Sequence, residues 1–292
     1  MTSQPLAFFH AGTSTVSYLV WDAETREAAL VDPVLDYNPA TAAVSTAFAD
    51  GLLDAVASRG LRLVYVLETH AHADHLSAAD YIRGRTGAKV VIGEHITAVQ
   101  AHFAPVFEAD DVTPDGSAFD VLARDGDRIP LGALVIEVMH TPGHTAACVT
   151  YRIGDAAFVG DTLFMPDYGT ARTDFPGGDA ATLYRSIRRI LALPDQTRIF
   201  VGHDYLPEGR GEFAWESSVG EQRAGNVHVR DGIEESDFVA RRQARDATLA
   251  GPALSIVVLH RLNAWKPADY RLEAVIRFIL VGSLLAAPLD AL

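Results

Sequence analysis

Three histidines and an aspartate crowd into six residues, Thr69-His70-Ala-His72-Ala-Asp74-His75, directly after the apolar run Leu61-Arg-Leu-Val-Tyr-Val-Leu67. A near-continuous apolar run of this kind reads as a strand buried on both faces of an interior sheet. The polar cluster then falls at the strand's carboxyl end, where sheet proteins hold functional side chains on loops. Imidazole and carboxylate are the usual ligands of zinc and non-haem iron. An HxHxDH match arises by chance on the order of 10⁻³ times in a chain of this composition and length. The cluster therefore calls for a fold in which it converges on one point.

Further candidates sit at the ends of other apolar strands. His144 closes His140-Thr-Pro-Gly-His144 after Leu134–Met139, Asp161 follows Val159-Gly160, and His203 follows Val201-Gly202. Gly143, Gly160 and Gly202 each precede a candidate ligand, and each permits a sharp backbone turn.

Around these points strands and helices alternate. Thr15–Trp21 and Ala28–Val31 read as a hairpin, Ala40–Ser58 as a helix, and Leu76–Arg85 as a short helix ending at Gly87. Lys89–Ile92 is an expected strand, Glu94–Phe103 an expected helix, and Asp110–Asp127 an acidic, turn-rich stretch. Strands are expected at Leu134–Met139, Cys148–Ile153, Ala156–Val159 and Arg198–Val201. Helices are expected at Asp179–Leu193, Trp215–Val227 and Glu234–Leu249. Such a mixture reads as α/β, with sheets covered by helices. No internal repeat or low-complexity linker is visible. The expected organisation is one catalytic domain over residues 1–250 and an apolar extension over 251–292, packed on it or forming a subunit interface.

Composition narrows the function. The 292 residues are 49% apolar, enough for a large core, and carry a formal net charge of −14, which disfavours nucleic acid and anionic membrane surfaces. The single cysteine, Cys148, rules out an internal disulfide or a cysteine-rich zinc site. Flanked by apolar residues in mid-strand, it reads as a small buried hydrophobe. The start has no secretory pattern, and the ten-residue apolar run 278–287 is too short to cross a bilayer as a helix; a cytoplasmic, soluble protein is expected.

The ordered motifs HxHxDH, TPGHT, GD and GHDY resemble the metallo-β-lactamase superfamily over roughly residues 8 to 250. The resemblance implies a four-layer αβ/βα sandwich with metal at one end of its two sheets. In two-metal members of that superfamily, one metal is held by the residues matching His70, His72 and His144. The other is held by those matching Asp74, His75 and His203, with Asp161 bridging. The flanks Glu68–Ser77, Asp161–Gly178 and His203-Asp-Tyr205 look like the persulfide dioxygenase branch, closest to a bacterial subgroup called β-lactamase-like hydrolase. That likeness implies one Fe(II) on His70, His144 and Asp161, with His72, Asp74, His75 and His203 orienting those ligands or binding a second metal. It further implies oxidation of glutathione persulfide or a similar small persulfide by O₂ to thiol and sulfite.

Two other readings stay open. One is a two-zinc hydrolase, such as a glyoxalase II-like thioesterase or a lactonase. The other is a non-enzymatic binding module, against which the intact ligand set argues. Arg172 and Tyr205 match branch positions near the thiol substrate, and Arg172 suits a two-pronged contact with a carboxylate. Asp32 matches a position near the site or forms a turn. Tyr168 is a possible pocket residue, and His140 a neighbour of the ligands rather than a ligand. His10, His95, His102, His228 and His260 have no ligand spacing. The apolar tail segments Ser255–His260 and Ala274–Val281 suggest a homo-oligomer, expected to be a dimer.

Overall fold

Along the central strands successive side chains fall into two separate cores, which is what a sheet buried on both faces requires. The structure, a computed structural model, describes residues 5–38, 41, 43–106 and 112–249. The chain opens with strands β1 (Leu6–His10), β2 (Thr15–Trp21), β3 (Glu27–Val31), β4 (Val34–Asn38) and β5 (Ala43–Ser45), then helix α1 (Ala47–Ser58). It continues through β6 (Arg62–Leu67), β7 (Leu76–Ser77), α2 (Ala79–Thr86), β8 (Lys89–Gly93), α3 (Ile96–Val106) and β9 (Val121–Ala123). The second half holds β10 (Arg128–Leu131), β11 (Leu134–His140), β12 (Val149–Ile153), β13 (Ala156–Gly160) and α4 (Ala180–Ile190). It ends with β14 (Arg198–Val201), β15 (Glu216–Ser218), α5 (Val219–Gly225) and α6 (Glu235–Asp246).

Two six-stranded sheets result, ordered β1-β2-β3-β6-β8-β9 and β10-β11-β12-β13-β14-β15. Val16, Tyr18, Val20, Ala29 and Val31 of the first meet Ile136, Val138, Tyr151, Phe158 and Phe200 of the second in a shared inner core. The alternate residues Leu19, Ala28 and Leu30 face α1 and α2, through Leu52, Val56 and Ile82. Likewise Ala157, Val159, Ile199 and Val201 face Leu183, Ile187 and Phe238 of α4 and α6. This is a four-layer αβ/βα sandwich, the metallo-β-lactamase fold. In the inner core Phe158 stacks on Phe200 with centroids 5.2 Å apart, and Tyr18 packs on both. Each large side chain so buried contributes about 1.5–3 kcal/mol.

The parallel pairs set the site. β3 and β6 run parallel in one sheet, β13 and β14 in the other, so each pair ends at the same edge. β2 is antiparallel to β3, which brings its start to that edge as well. Two buried tyrosines tie the sheets together there. Tyr18 donates its hydroxyl hydrogen to the Val201 carbonyl at 2.6 Å, and Tyr151 donates to the Glu68 carbonyl at 3.0 Å.

Several expected boundaries are corrected. The helix expected from residue 40 starts only at Ala47, because Ala43–Ser45 pairs with β4 and the Asp36 carboxylate meets the Phe48 N–H at 2.9 Å. Leu76 and Ser77 extend a strand against β4 before α2 begins. The helix expected over Trp215–Val227 gives Glu216–Ser218 to the sheet edge beside β14, and α5 starts at a Ser218–Glu221 capping box. The sequence pattern marks no strand at β1, β4, β9 or β10; β9 lies inside the acidic stretch, where pairing with β8 outweighs polar composition. Among the described residues no helix is long and apolar enough to cross a membrane. The extension expected over 251–292, with Ser255–His260 and Ala274–Val281, lies outside the described residues.

Candidate metal centre

Every sequence-predicted ligand reaches the shared sheet edge. His70, His72, Asp74 and His75 lie on the loop after β6, His144 on the loop after β11, Asp161 just after β13, and His203 after β14. Gly160 makes the close approach possible: its φ is +49°, and a Cβ there would lie 2.3 Å from the Thr69 hydroxyl beside His70. Gly202 is not in the left-handed region; it leaves room for Asp161, whose Oδ1 would lie 2.9 Å from a Cβ.

Ligand atoms of His70, His144 and Asp161 lie within 4.8 Å of one another, and so do those of His72, Asp74 and His75. Nε2 of His70 and of His144 stand 3.8 and 3.7 Å from Asp161 Oδ2. Nε2 of His203 stands 3.4 Å from Asp161 Oδ1 and 3.3 Å from Asp74 Oδ2. The far side of each ring is held. Nδ1 of His144 donates to the Arg172 carbonyl at 2.8 Å, and Nδ1 of His75 to the Leu76 carbonyl at 3.1 Å. The Thr69 hydroxyl donates to Asp32 at 2.7 Å, so it accepts from Nδ1 of His70 at 2.9 Å. Each bond leaves an Nε2 lone pair turned toward the carboxylates. Asp32, with φ +45°, also accepts from the Thr69 N–H, so it braces the ligand loop as well as forming the turn.

His72 differs. Its Nε2 lies 3.2 Å from Asp32 Oδ1 and 3.1 Å from Glu68 Oε2, so Nε2 carries the hydrogen. Burial opposes its protonation, yet the Asp32 and Glu68 carboxylates hold its pKa well above the usual histidine value. Burial raises Glu68, while the imidazole of His72 holds Asp32 down in spite of burial. His70 is kept well below the usual value by burial and by the neighbouring imidazoles, and His75 is lowered to about 3. Asp74 is held at about 2 against burial by His203, His75 and His72. Burial opposes protonation of His203, but Asp161 and Asp74 raise its pKa.

The group fits a bound cation. His72 Nδ1, Asp74 Oδ2 and His75 Nε2, one triple of mutually close ligand residues, are buried without a hydrogen-bond partner, as is Asp161 Oδ1 of the other triple. Buried polar atoms left so are costly, and bound metal would satisfy them.

A cavity of about 240 Å³ opens onto this locus. His144, Asp161 and Asp74 form its floor, and Phe164, Tyr168, Tyr205 and Phe175 its apolar wall. Tyr205 stacks on His203 with an 8° interplanar angle and packs on Tyr168. Arg172 lines the cavity with its guanidinium bound at two points to Asp174, at 2.6 Å each. Sequence reasoning missed Arg242 of α6, which donates to the Thr170 carbonyl at 3.1 Å and pairs with Asp246. Asp246 in turn accepts from Thr173 N–H and hydroxyl, so α6 clamps the 170–173 wall. The i,i+4 Arg–Asp spacing was the only local signal. Cys148 is buried under the Thr145 turn, and burial pushes its thiol up to about 12. His140 donates Nε2–H to the Ala146 carbonyl and does not reach the locus.

The family model described as metallo-beta-lactamase superfamily matches residues 11–203. A probable metallo-hydrolase of Burkholderia pseudomallei is 53% identical over 85% of this chain and 88% of its own length. A beta-lactamase hydrolase-like protein of Agrobacterium fabrum is 51% identical over 88% of this chain, which spans only 58% of that relative's length. The human mitochondrial persulfide dioxygenase ETHE1 is 34% identical over 68% of this chain and 66% of its own. Among solved structures, ETHE1 from Myxococcus xanthus matches with a TM-score of 0.71 and 33% identity, covering 90% of this chain and 99% of that one.

Proposed function

This chain belongs to the metallo-β-lactamase superfamily, and from that premise we propose that it is a mononuclear iron persulfide dioxygenase. It oxidises glutathione persulfide, or a persulfide of similar size, to thiol and sulfite. The observation that carries the reading is the asymmetry of the cavity floor. His144 and Asp161 of the first ligand triple face the cavity, whereas of the second triple only Asp74 does. A substrate entering there meets the set of His70, His144 and Asp161, two imidazoles and a carboxylate of the type that leaves open positions on iron. The 34% identity to a persulfide dioxygenase supports the same reading.

His70, His144 and Asp161 would hold Fe(II), which supplies coordination positions for sulfur and O₂. The protein's residues do the rest. Thr69 and the Arg172 carbonyl orient the two imidazoles. The wall of Phe164, Tyr168, Tyr205 and Phe175 excludes water around the persulfide sulfur, and Arg172 offers a cation to a carboxylate of the carrier.

A two-zinc hydrolase is the second reading, favoured by the orphaned atoms of His72, Asp74 and His75 and by a relative named as a metallo-hydrolase. Protein purified from medium without added metal decides between them. Iron near one equivalent, with O₂ uptake and sulfite formation from glutathione persulfide, is the expected result. Two zincs per chain and rapid cleavage of S-lactoylglutathione without O₂ uptake would overturn it.

A further inference from the structure

Helix α6 brings two arginines to the substrate cavity beside Arg172, and the three are not alike. Arg242 is buried and holds Asp246 and the Thr170 carbonyl. Arg172 is bound at two points by Asp174. Arg245 lines the same cavity and is exposed, and among the described residues its guanidinium has no carboxylate or carbonyl partner. We propose that Arg245 binds the glycyl carboxylate of the glutathione carrier and selects among persulfides by the charge at that end. The assignment rests on the glutathione persulfide reading of the cavity.

The fold fixes this cation in place. Arg242 and Arg245 stand three positions apart, so they share the helix face turned to the cavity. Arg242 and Asp246 hold Thr170 and Thr173 of the wall. On the other side Phe238 packs on Tyr184 of α4 with ring centroids 5.6 Å apart, and Glu235 pairs with Arg185 at 3.1 Å. Asp246, adjacent in sequence, is already committed: its Oδ1 accepts from Arg242, and its Oδ2 accepts from the N–H and hydroxyl of Thr173. A cation carried on an anchored helix and left without an acid is preorganised for an anion from outside. His144 and Asp161 on the cavity floor are buried, so Arg245 stands at the mouth and meets a group remote from the persulfide sulfur.

Glutathione offers two carboxylates. The γ-glutamyl one has an ammonium on the same carbon, and the glycyl one stands alone. The field around Arg245 is positive. His228 packs beside Arg241, Arg242 and Arg245, and burial together with these three guanidinium groups lowers it to about 4. Such a field attracts a lone carboxylate and repels an ammonium. The Arg172–Asp174 pair carries both signs and suits the end of the carrier that does the same.

The test compares reduced glutathione with its glycyl monoethyl ester, which lacks that negative charge, by titration calorimetry on the full chain as purified. The wild type should bind the acid about 10-fold more tightly than the ester, the effect of one charge-assisted bond at an exposed arginine. Arg245→Gln should lose most of this preference. Arg172→Ala should weaken both ligands and keep the ratio. Arg241→Gln, on the same helix but outside the cavity lining, should also keep it, which separates a contact from a diffuse field. An undiminished preference in Arg245→Gln, an equal loss in Arg241→Gln, or a wild type that binds acid and ester alike or binds neither would overturn the assignment. With the two persulfides as substrates the same ratio should appear in kcat/KM. A wild type that prefers the acid but takes up no O₂ would count against the dioxygenase reading and leave Arg245 in its role.

Discussion

Arg172 orients His144 through its backbone, not its side chain: Nδ1 of His144 donates to the Arg172 carbonyl at 2.8 Å, while the guanidinium turns to Asp174. One residue thus joins the metal centre to the cavity wall, and its two roles are separable by mutation.

Arg172→Ala keeps the carbonyl and removes the cation. Metal content should be unchanged. KM for glutathione persulfide should rise about 10-fold, the low end of the ~1.5–3 kcal/mol of a charge-assisted bond, because Asp174 already shares the guanidinium. Steady-state kinetics beside metal analysis checks both halves; loss of metal would show that the side chain supports the ligand loop.

His70→Ala, His144→Ala and Asp161→Ala should each purify without iron, since a site reduced to two ligands holds the ion weakly. Asp74→Ala and His203→Ala should retain most of it and slow turnover about 10–100-fold. Elemental analysis of the five variants distinguishes this pattern from a two-metal site, in which the last two would each lose one of two ions.

Tyr151→Phe removes the buried bond to the Glu68 carbonyl and leaves that acceptor unpaired. The expected loss is about 1–3 kcal/mol of stability, read as a lower urea midpoint with an unchanged slope. The Glu68 carbonyl adjoins the ligand loop, so the variant should also bind metal more weakly.

His228 imposes a pH dependence on stability. Burial, helped by Arg242, Arg245 and Arg241, lowers its pKa to about 4, and Nδ1 accepts the Thr170 N–H at 3.1 Å. The unfolded chain takes up this proton near the ordinary value of 6.5, whereas the folded chain resists it down to about 4. The contribution is therefore fully present above 6.5 and is lost as pH falls from there toward 4. With allowance for the partly exposed ring it amounts to about 1–2 kcal/mol. Unfolding free energies from urea titrations at pH 7 and pH 4.5 should differ less in His228→Asn than in the wild type by that amount.

Much of the fold was legible because its signals are local. β2 matches the expected strand end for end, and α4 begins one residue after the expected start, with Asp179 serving as its cap. The Ala-rich stretch before α1 misled because alanine favours helix over any seven residues, whereas pairing with β4 is a property of two segments. The ligand types and their places at strand ends were legible for the same reason as the strands: each motif is a short polar interruption of an apolar run.

By itself the sequence determined the set of candidate ligands, the alternation of strands and helices, and the strand ends at which those candidates stand. Only the tertiary structure decided what holds and connects them. The Arg172 carbonyl on His144, the Arg242–Asp246 clamp on the 170–173 wall, and the Tyr18 hydroxyl on the Val201 carbonyl join residues far apart in the chain; Tyr18 and Val201 are 183 positions apart. Periods of 2 and 3.6 residues carry information over one element only. Which backbone carbonyl or hydroxyl meets which imidazole depends on how two sheets twist and pack, a sum over the whole core that no single segment encodes.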